Sequence, residues 1–509
     1  MTKMIYVMDT TLRDGEQTTG VSFTEAEKLG MAKLLLEEVK VDRLEVASAR
    51  VSNGEFRATQ KIMDWAKSKG CLEKVEVLGF VDGKISIDWI TDTGGKVINL
   101  LCKGSYKHVT EQLKKSPEQH VTDIKESLAY AKEKGIGVNI YLEDWSNGMR
   151  NSEDYVYFMV DQLKDEYVNR IMLPDTLGIL DPNQTFDFCS RMKKRYPDVC
   201  FDFHAHNDYD LAVANVFEAI KAGIDCVHTT VNGLGERAGN APLSSVVATV
   251  IDHLKMQMSV NESKLNKVSR LAETFSGIRI PTNKPLIGEF VFTQCSGVHA
   301  DGDNKNNLYF NDLIPERFGR KRKYALGKTS GKANIKKNLE ELGLTLDAKD
   351  LKRVTEKIIE LGDLKETVTI EDLPYIVSDV LKSQSIEENI KINNFILSHA
   401  KGMHPSATVS LQIGEESYEA HASGDGQYDA FMNSLKKIYF NLNKPFPQLV
   451  DYYVSIPPGG RTDALVETVI TWRINKEFKT RGLDTDQTVA AIIATEKMLN
   501  IMENEFSAI

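Results

Sequence analysis

The sequence predicts an α/β chain that opens with a (β/α)8 TIM barrel and closes with a separate α+β region. Three observations carry this expectation. Between Ile5 and residue 230, eight short apolar runs alternate with amphipathic helical stretches, which is the pattern a closed barrel of parallel strands requires. Polar residues capable of chemistry gather just after these runs, where a barrel places its functional loops. From about residue 390 the alternation gives way to antiparallel-looking strands, each group followed by a helix.

The eight runs are Ile5–Met8, Arg43–Ala47, Val75–Phe80, Val97–Leu101, Gly137–Leu142, Arg170–Leu173, Cys200–Phe203 and Cys226–Thr230. Stretches such as Glu25–Glu38, Ala58–Ser68 and Val121–Lys134 repeat apolar residues at helical spacing between them. A doubly wound open sheet is the rival fold, but eight regular units favour closure. Past the barrel, Lys264–Ser276 reads as a helix, and a segment of little regular pattern then holds His299, Asn307 and Tyr309. Helical spacing returns over Ser330–Leu342, Asp347–Glu360 and Ile370–Ser383. Strand patterns at Lys391–Ser398, Ala407–Ile413 and Glu416–Ala422 precede a helix at Ala430–Asn441. Val450–Ile456, Ala464–Thr471 and a short connection precede a second helix, Gln487–Met502. One strands-plus-helix unit is thus used twice, and two βββα units can bury a common core. The expected division is a barrel over 1–262, linker subdomains over 263–389 and the doubled domain over 390–509.

A chain of 509 residues is too long for one ordinary core. Its 41% hydrophobic and 27% charged residues are those of a globular protein, and the net charge of −10 argues against nucleic acid or anionic membrane as partner. No apolar segment approaches the roughly 20 residues of a membrane helix, and the first residues enter a strand with no signal-peptide character. Six scattered cysteines without a CxxC pair suit a reducing, cytoplasmic setting.

His204 and His206 stand two apart at the end of the run Val199–Phe203. Alternate side chains of a strand share a face, so both imidazoles point one way and form a ready pair of metal ligands. The plain alternative is two surface histidines at a strand end. Four other strand ends are also polar: Asp9 to Gln17, Tyr141 with Glu143 on one face, Asp175-Thr176, and Asn232 to Asn240. A single polar residue there is usually a cap; five such ends in one barrel are harder to dismiss.

The motifs DTTLRDGEQ, HAHND and NGLGERAGN together resemble the acetyl-CoA-condensing family of isopropylmalate, homocitrate and citramalate synthases, over essentially the whole chain. YLEDWSNGMRNSxDYV, VHADGDxKxNLY, IPPGGRTDALVET and DQTVAA look most like its citramalate-forming branch. The resemblance implies an acyltransferase: a Claisen-type condensation of acetyl-CoA with pyruvate, then thioester hydrolysis. It also implies a homodimer and a C-terminal domain that senses the end product, isoleucine. A 2-isopropylmalate synthase, taking 2-oxoisovalerate for leucine biosynthesis, is the alternative. The extra C-terminal region speaks against a CoA-thioester lyase. Residues for every chemical task speak against a non-catalytic amino-acid-binding regulator.

Within that resemblance, Asp14, His204, His206 and Asn240 form a mixed oxygen and nitrogen set for a divalent Mg, Mn or Zn ion. Thr176 is expected to bind the keto acid's carboxylate, and Arg13 the oxygen that gains negative charge. Glu143 and His299 are the acid–base candidates, with Asn307 and Tyr309 completing a second wall. Leu78, Leu101 and Tyr141 would line the pocket for the acceptor's side chain. Tyr428, Asp429, Leu449, Tyr452, Ile456, Val466 and Gln487 are the expected regulatory contacts. The seven other histidines, including His108, His228 and His399, read as structural or solvated.

Overall fold

The computed structural model describes residues 4–305, 307–363, 368, 370, 372–381, 389–455, 466–474 and 477–506. Contacts divide the chain into two units, 1–292 with 310–322, and 293–309 with 323–509.

The first unit is the expected closed barrel. Its parallel strands are β1 (Tyr6–Asp9), β2 (Arg43–Ser48), β3 (Val75–Phe80), β4 (Val97–Lys103), β5 (Gly137–Glu143), β6 (Arg170–Asp175), β7 (Phe201–Ala205) and β8 (Cys226–Thr229). They pair in chain order, and β1 closes on β8 through Tyr6 opposite Cys226 to Asp9 opposite Thr229. One face of each strand turns toward the surrounding helices. Val7, Leu44, Val46, Val77, Ile98, Leu100, Ile140, Leu173, Phe203 and Val227 are buried there and belong to one apolar cluster. Burying each such side chain contributes about 1.5–3 kcal/mol against exposure, so this shell holds the barrel shut.

The other face looks inward and is unusually polar: Arg43, Glu45, Glu76, Asn99, Asn139 and Asp202 are all buried. A second, small apolar cluster of Met8, Leu78, Tyr141, Met172 and Cys226, with Leu101 against it, occupies the same interior. Local signals set the helix starts. Thr24 and Ser116 each form a capping box with the residue three further on, Glu27 and Gln119. Asp181 caps the helix Pro182–Arg195, whose proline sits where no backbone donor is needed. The first helix differs from expectation, passing at Leu34 into a wider π-helical turn that ends at Val39.

In the second unit, β9 (Thr293–Gln294) and β10 (Lys323–Tyr324) form a small parallel pair. The segment expected to lack regular structure contains the helix Gly297–Asn304. Helices Lys332–Glu341, Ala348–Asp363 and Leu373–Leu381 enclose their own core, including Ile335, Val354, Ile358 and Leu373. Two antiparallel sheets follow: β11 (Ile390–Ser398), β12 (Ser406–Ile413) and β13 (Glu416–Ser423), then β14 (Gln448–Ser455), β15 (Val466–Arg473) and β16 (Glu477–Asp484). The expected short connection before the last helix is therefore a full strand, β16. Helices Gln427–Asn441 and Gln487–Phe506 complete the two βββα units. Leu411 and Phe431 of one unit share a core with Trp472 and Leu499 of the other. No helix among the described residues is long and apolar enough to cross a membrane. All six cysteines are free; three are buried, but Cys200 and Cys295 are exposed.

Candidate active site at the barrel mouth

The loop after β1 folds back at once. Asp14 and Gly15 both donate backbone N–H groups to the Thr10 carbonyl, at 2.8 and 3.1 Å. This tight turn aims Arg13 and Asp14 into the barrel. Lys28, itself buried, anchors the loop from below: its Nζ donates to the Leu12 carbonyl at 3.0 Å and pairs with Glu16 and Glu55 at 2.6 Å each.

Asp14 meets the two histidines of β7. His204 Nε2 lies 3.2 Å and His206 Nε2 3.8 Å from Asp14 Oδ2, and the imidazole centroids are 5.0 Å apart. One donor atom from each of the three residues falls within 4.8 Å of the others. All three are buried, yet Asp14 Oδ1, His204 Nδ1 and His206 Nδ1 have no hydrogen-bond partner. Burial pushes the Asp14 carboxyl up most strongly, but Arg13, the His204 hydrogen bond and both imidazoles outweigh it and hold the group well below the usual carboxylate range. Burial lowers His206 to about 4, against the opposing pull of Asp14. An ionised carboxylate beside a neutral imidazole is what a divalent cation requires. Neighbouring ligands of a six-coordinate ion stand on the order of 3 Å apart, so spacing, charge state and unpartnered atoms all fit a metal.

Asn240 arrives by a different route. The loop 232–240 doubles back so that Asn240 N–H donates to the Gly233 carbonyl at 3.2 Å and Asn240 bridges His206. Gly239 has φ +86°, and a Cβ there would stand 1.9 Å from the Gly233 oxygen, so only glycine allows the turn. The Asn240 amide nitrogen donates to the Leu234 carbonyl at 3.1 Å, leaving its buried Oδ1 without a partner. The adjacent loops are tied together by Arg237, which grips Asp208 at 2.7 and 2.9 Å and the Thr176 carbonyl at 2.9 Å.

Arg13 is fixed by three neighbours. Its Nε donates to Glu45 at 2.6 Å, and its two terminal nitrogens lie 3.3 Å from Asp14 and 3.4 Å from the Tyr141 hydroxyl. Glu45 also accepts from Thr10 at 2.7 Å and from Asn99 at 2.8 Å. Burial raises its pKa most, but Arg13 and these donors win, and the net shift is downward. Tyr141 stands on β5 with its hydroxyl 2.9 Å from His228 Nδ1, and its ring lies in the apolar cluster with Leu78, beside Leu101. Glu143 pairs with Lys103 from the end of β4. The Thr176 hydroxyl accepts the Asp144 backbone N–H at 2.9 Å, which leaves its own proton to donate.

The structure thus brings Arg13, Asp14, Leu78, Leu101, Tyr141, Glu143, Thr176, His204, His206 and Asn240 to the interior and mouth of one barrel. His299, Asn307 and Tyr309 lie in the second unit. There the His299 and Tyr309 rings stand 4.2 Å apart, His299 Nδ1 is 3.2 Å from Gln294 Oε1, and Asn307 is an exposed residue with φ +56°. Sequence reasoning missed Glu45, Asn99, Lys103, Asp208 and Arg237, and took His228 for one structural or solvated histidine among seven. The inward alternation of β2 and β4 could have flagged Glu45, Asn99 and Lys103, because charged and amide residues are rare in barrel strands unless they face partners.

A cavity of about 610 Å³ lies within the doubled domain. Tyr428, Asp429, Leu449, Tyr452 and Gln487 line it, as do His399, which the sequence reading took for structural or solvated, and Asp486, which it did not name. Val466 is buried on β15, paired with Asp484, and is not among the cavity's residues. Ile456 lies outside the described residues.

Among solved structures, HMG-CoA lyase of Bacillus subtilis aligns with a TM-score of 0.48 at 19% identity, over 55% of this chain and 96% of that one. The HMGL-like family profile matches residues 4–272, a homocitrate synthase post-HMGL domain 286–366, and the LeuA allosteric (dimerisation) domain 367–503. A 2-isopropylmalate synthase of Methanocaldococcus jannaschii is 33% identical over 504 residues, 97% of this chain and 94% of the relative. An (R)-citramalate synthase of the same organism is 31% identical over 505 residues, 98% and 100% of the two chains. The chain belongs to the HMGL-like family, among the citramalate and isopropylmalate synthases, and is a condensing enzyme of the acyltransferase class.

Proposed function

We propose that the chain condenses acetyl-CoA with pyruvate and hydrolyses the resulting thioester, releasing (R)-citramalate and CoA, under feedback inhibition by isoleucine. The observation that supports this most is the position of Tyr141. Its ring stands inside the barrel next to Arg13 and packed with Leu78, where bulk shortens the space for an acceptor side chain. Asp14, His204 and His206, with Asn240 as fourth donor, would hold a divalent Mn, Mg or Zn ion, which supplies Lewis-acid polarisation of the keto acid. Arg13 donates to the keto oxygen as it gains negative charge, and its bond to Glu45 keeps the guanidinium aimed. The Thr176 hydroxyl donates to the substrate carboxylate. Glu143 and His299 share the acid–base work: the acetyl methyl loses a proton, its carbon bonds to the keto carbon, and the new alkoxide is protonated. Water then displaces CoA from the thioester. In this reading the chain is a homodimer, in keeping with the LeuA dimerisation profile.

The cavity of the doubled domain supports the regulatory half of the reading. Backbone at the starts of two helices, Gln427–Asn441 and Gln487–Phe506, borders it and suits a carboxylate. Asp429 and Asp486 suit an ammonium, and Leu449 with the Tyr428 and Tyr452 rings suits a branched side chain. A 2-isopropylmalate synthase remains the second reading, because the relative of that name is as similar as the citramalate synthase. A panel of pyruvate, 2-oxobutyrate, 2-oxoisovalerate and 2-oxoglutarate with acetyl-CoA and a thiol reporter decides between them. Preference for 2-oxoisovalerate overturns the pyruvate assignment. Rates with isoleucine, leucine and valine test the effector, and inhibition by leucine alone would redirect the reading to the leucine pathway.

A further inference from the structure

Behind Tyr141 lies a chain of buried hydrogen bonds that the proposed reaction does not use. The Tyr141 hydroxyl is 2.9 Å from His228 Nδ1, and His228 Nε2 is 3.2 Å from Asp202 Oδ2. Arg43 and Arg170 both pair with Asp202, so the carboxylate is ionised and held in place. All three residues of the relay are buried.

The direction of each bond follows from what the groups can do. An ionised carboxylate only accepts, so His228 Nε2 carries the proton. A neutral imidazole then offers Nδ1 as an acceptor, and the Tyr141 O–H must donate to it. The phenol proton therefore points away from Arg13, whose terminal nitrogen donates to the remaining lone pairs at 3.4 Å. The ring is braced as well, edge-on to His204 at 6.0 Å and to His228 at 5.6 Å. A phenol committed in this way cannot give its proton to a substrate, and the side chain cannot swing about its Cα–Cβ bond without breaking the relay.

We propose that His228, backed by Asp202, is a positioning residue for acceptor choice: it holds Tyr141 as the wall that the acceptor's side chain meets. The inference rests on the acceptor-pocket role proposed for Tyr141. It makes Tyr141 a steric gauge and not a proton donor, and it places part of the selectivity on β8, on a residue that does not face substrate.

The test measures kcat/KM for pyruvate and 2-oxobutyrate in the full-length metal-loaded enzyme. His228→Ala and Tyr141→Phe should each shift the ratio toward the larger acid by roughly ten-fold, the size of effect one methylene commands. The double variant should shift it no further than the larger single change, because both cut one link. His228→Asn, which keeps an acceptor near the Nδ1 position, should stay within about three-fold of the wild-type ratio. Equal losses for both acids, or additive shifts in the double variant, overturn the proposal. If His228→Ala does not fold, Tyr141→Phe reads the same link, and an unchanged ratio there overturns it too. The wild-type preference tests the pyruvate reading separately, since positioning is read only from changes in the ratio.

Discussion

The barrel interior holds two buried charge clusters, one at each end. At the N-terminal end Arg43 reaches Glu76 and Asp202, and Arg170 and His228 also bind Asp202. Two arginines face two carboxylates, and the charges close on themselves. At the C-terminal end Arg13 faces both Asp14 and Glu45, and Asp14, His204, His206 and Asn240 each keep a buried polar atom without a partner. Burying an unpaired polar atom costs on the order of 1–3 kcal/mol, and the upper cluster holds four of them along with one excess negative charge. The lower cluster reads as structure. The upper one reads as a cation site whose cost is offset only when a ligand binds.

The sharpest way to break this contrast is to remove a group from each end. Asp14→Ala should leave the fold intact and reduce kcat/KM at least about 1,000-fold, since it removes both a ligand and the Arg13 partner. Metal content by atomic spectroscopy should fall with it, and retained metal with full turnover would sink the assignment. Chelation with EDTA should likewise abolish turnover in the wild type, with Mn or Mg restoring it. Arg43→Met should do the opposite. It leaves Glu76 and Asp202 buried with fewer countercharges and should cost about 3–5 kcal/mol in urea unfolding, while metal per folded chain stays unchanged. A loss of metal in that variant would show that the two ends are not separable.

Lys103→Met isolates Glu143 from its partner. With Glu143 as an acid–base group held by this pair, kcat should fall by roughly ten-fold or more while the KM for the keto acid changes little. An unchanged kcat would leave the pair structural. The smallest effect expected is on stability against pH in metal-free protein. Burial lowers His120, His206 and His228 to about 4 each. Between about pH 4 and the ordinary histidine value near 6.5, the unfolded chain then binds more protons than the folded one, so these groups make stability rise with pH. Burial raises Asp9 to about 7, which acts in the reverse sense over the same range. Glu55, Glu76 and Asp175, raised by burial, also act in the reverse sense, so the histidine contribution is read as the difference between the wild type and His120→Gln. A wild-type advantage in urea unfolding that falls from pH 4 to 6.5 would contradict it.

Strand positions were readable because apolar runs of four to six residues between helical patterns leave few other folds. Val75–Phe80 matches β3 at both ends, and the remaining barrel strands match within one or two residues. Strand alternation also made it readable that the His-x-His rings share one face, whereas Asp14 entered through the motif resemblance and lies in the turn after β1. The third strand of the second repeat, β16, was not: Glu477 to Asp484 carries Lys479, Arg481 and Gly482 in place of clean alternation, and only pairing with β15 holds it extended.

By itself, then, the sequence determined the barrel, the doubled C-terminal unit and which groups stand at strand ends, because these follow from local periodicity and side-chain chemistry. Tertiary structure alone decided who meets whom across the barrel. Glu45 meets Arg13 from 32 positions away, and His228 meets Tyr141 from 87. A buried charge or phenol takes its role from the partner that satisfies it, and closure of the barrel chooses that partner.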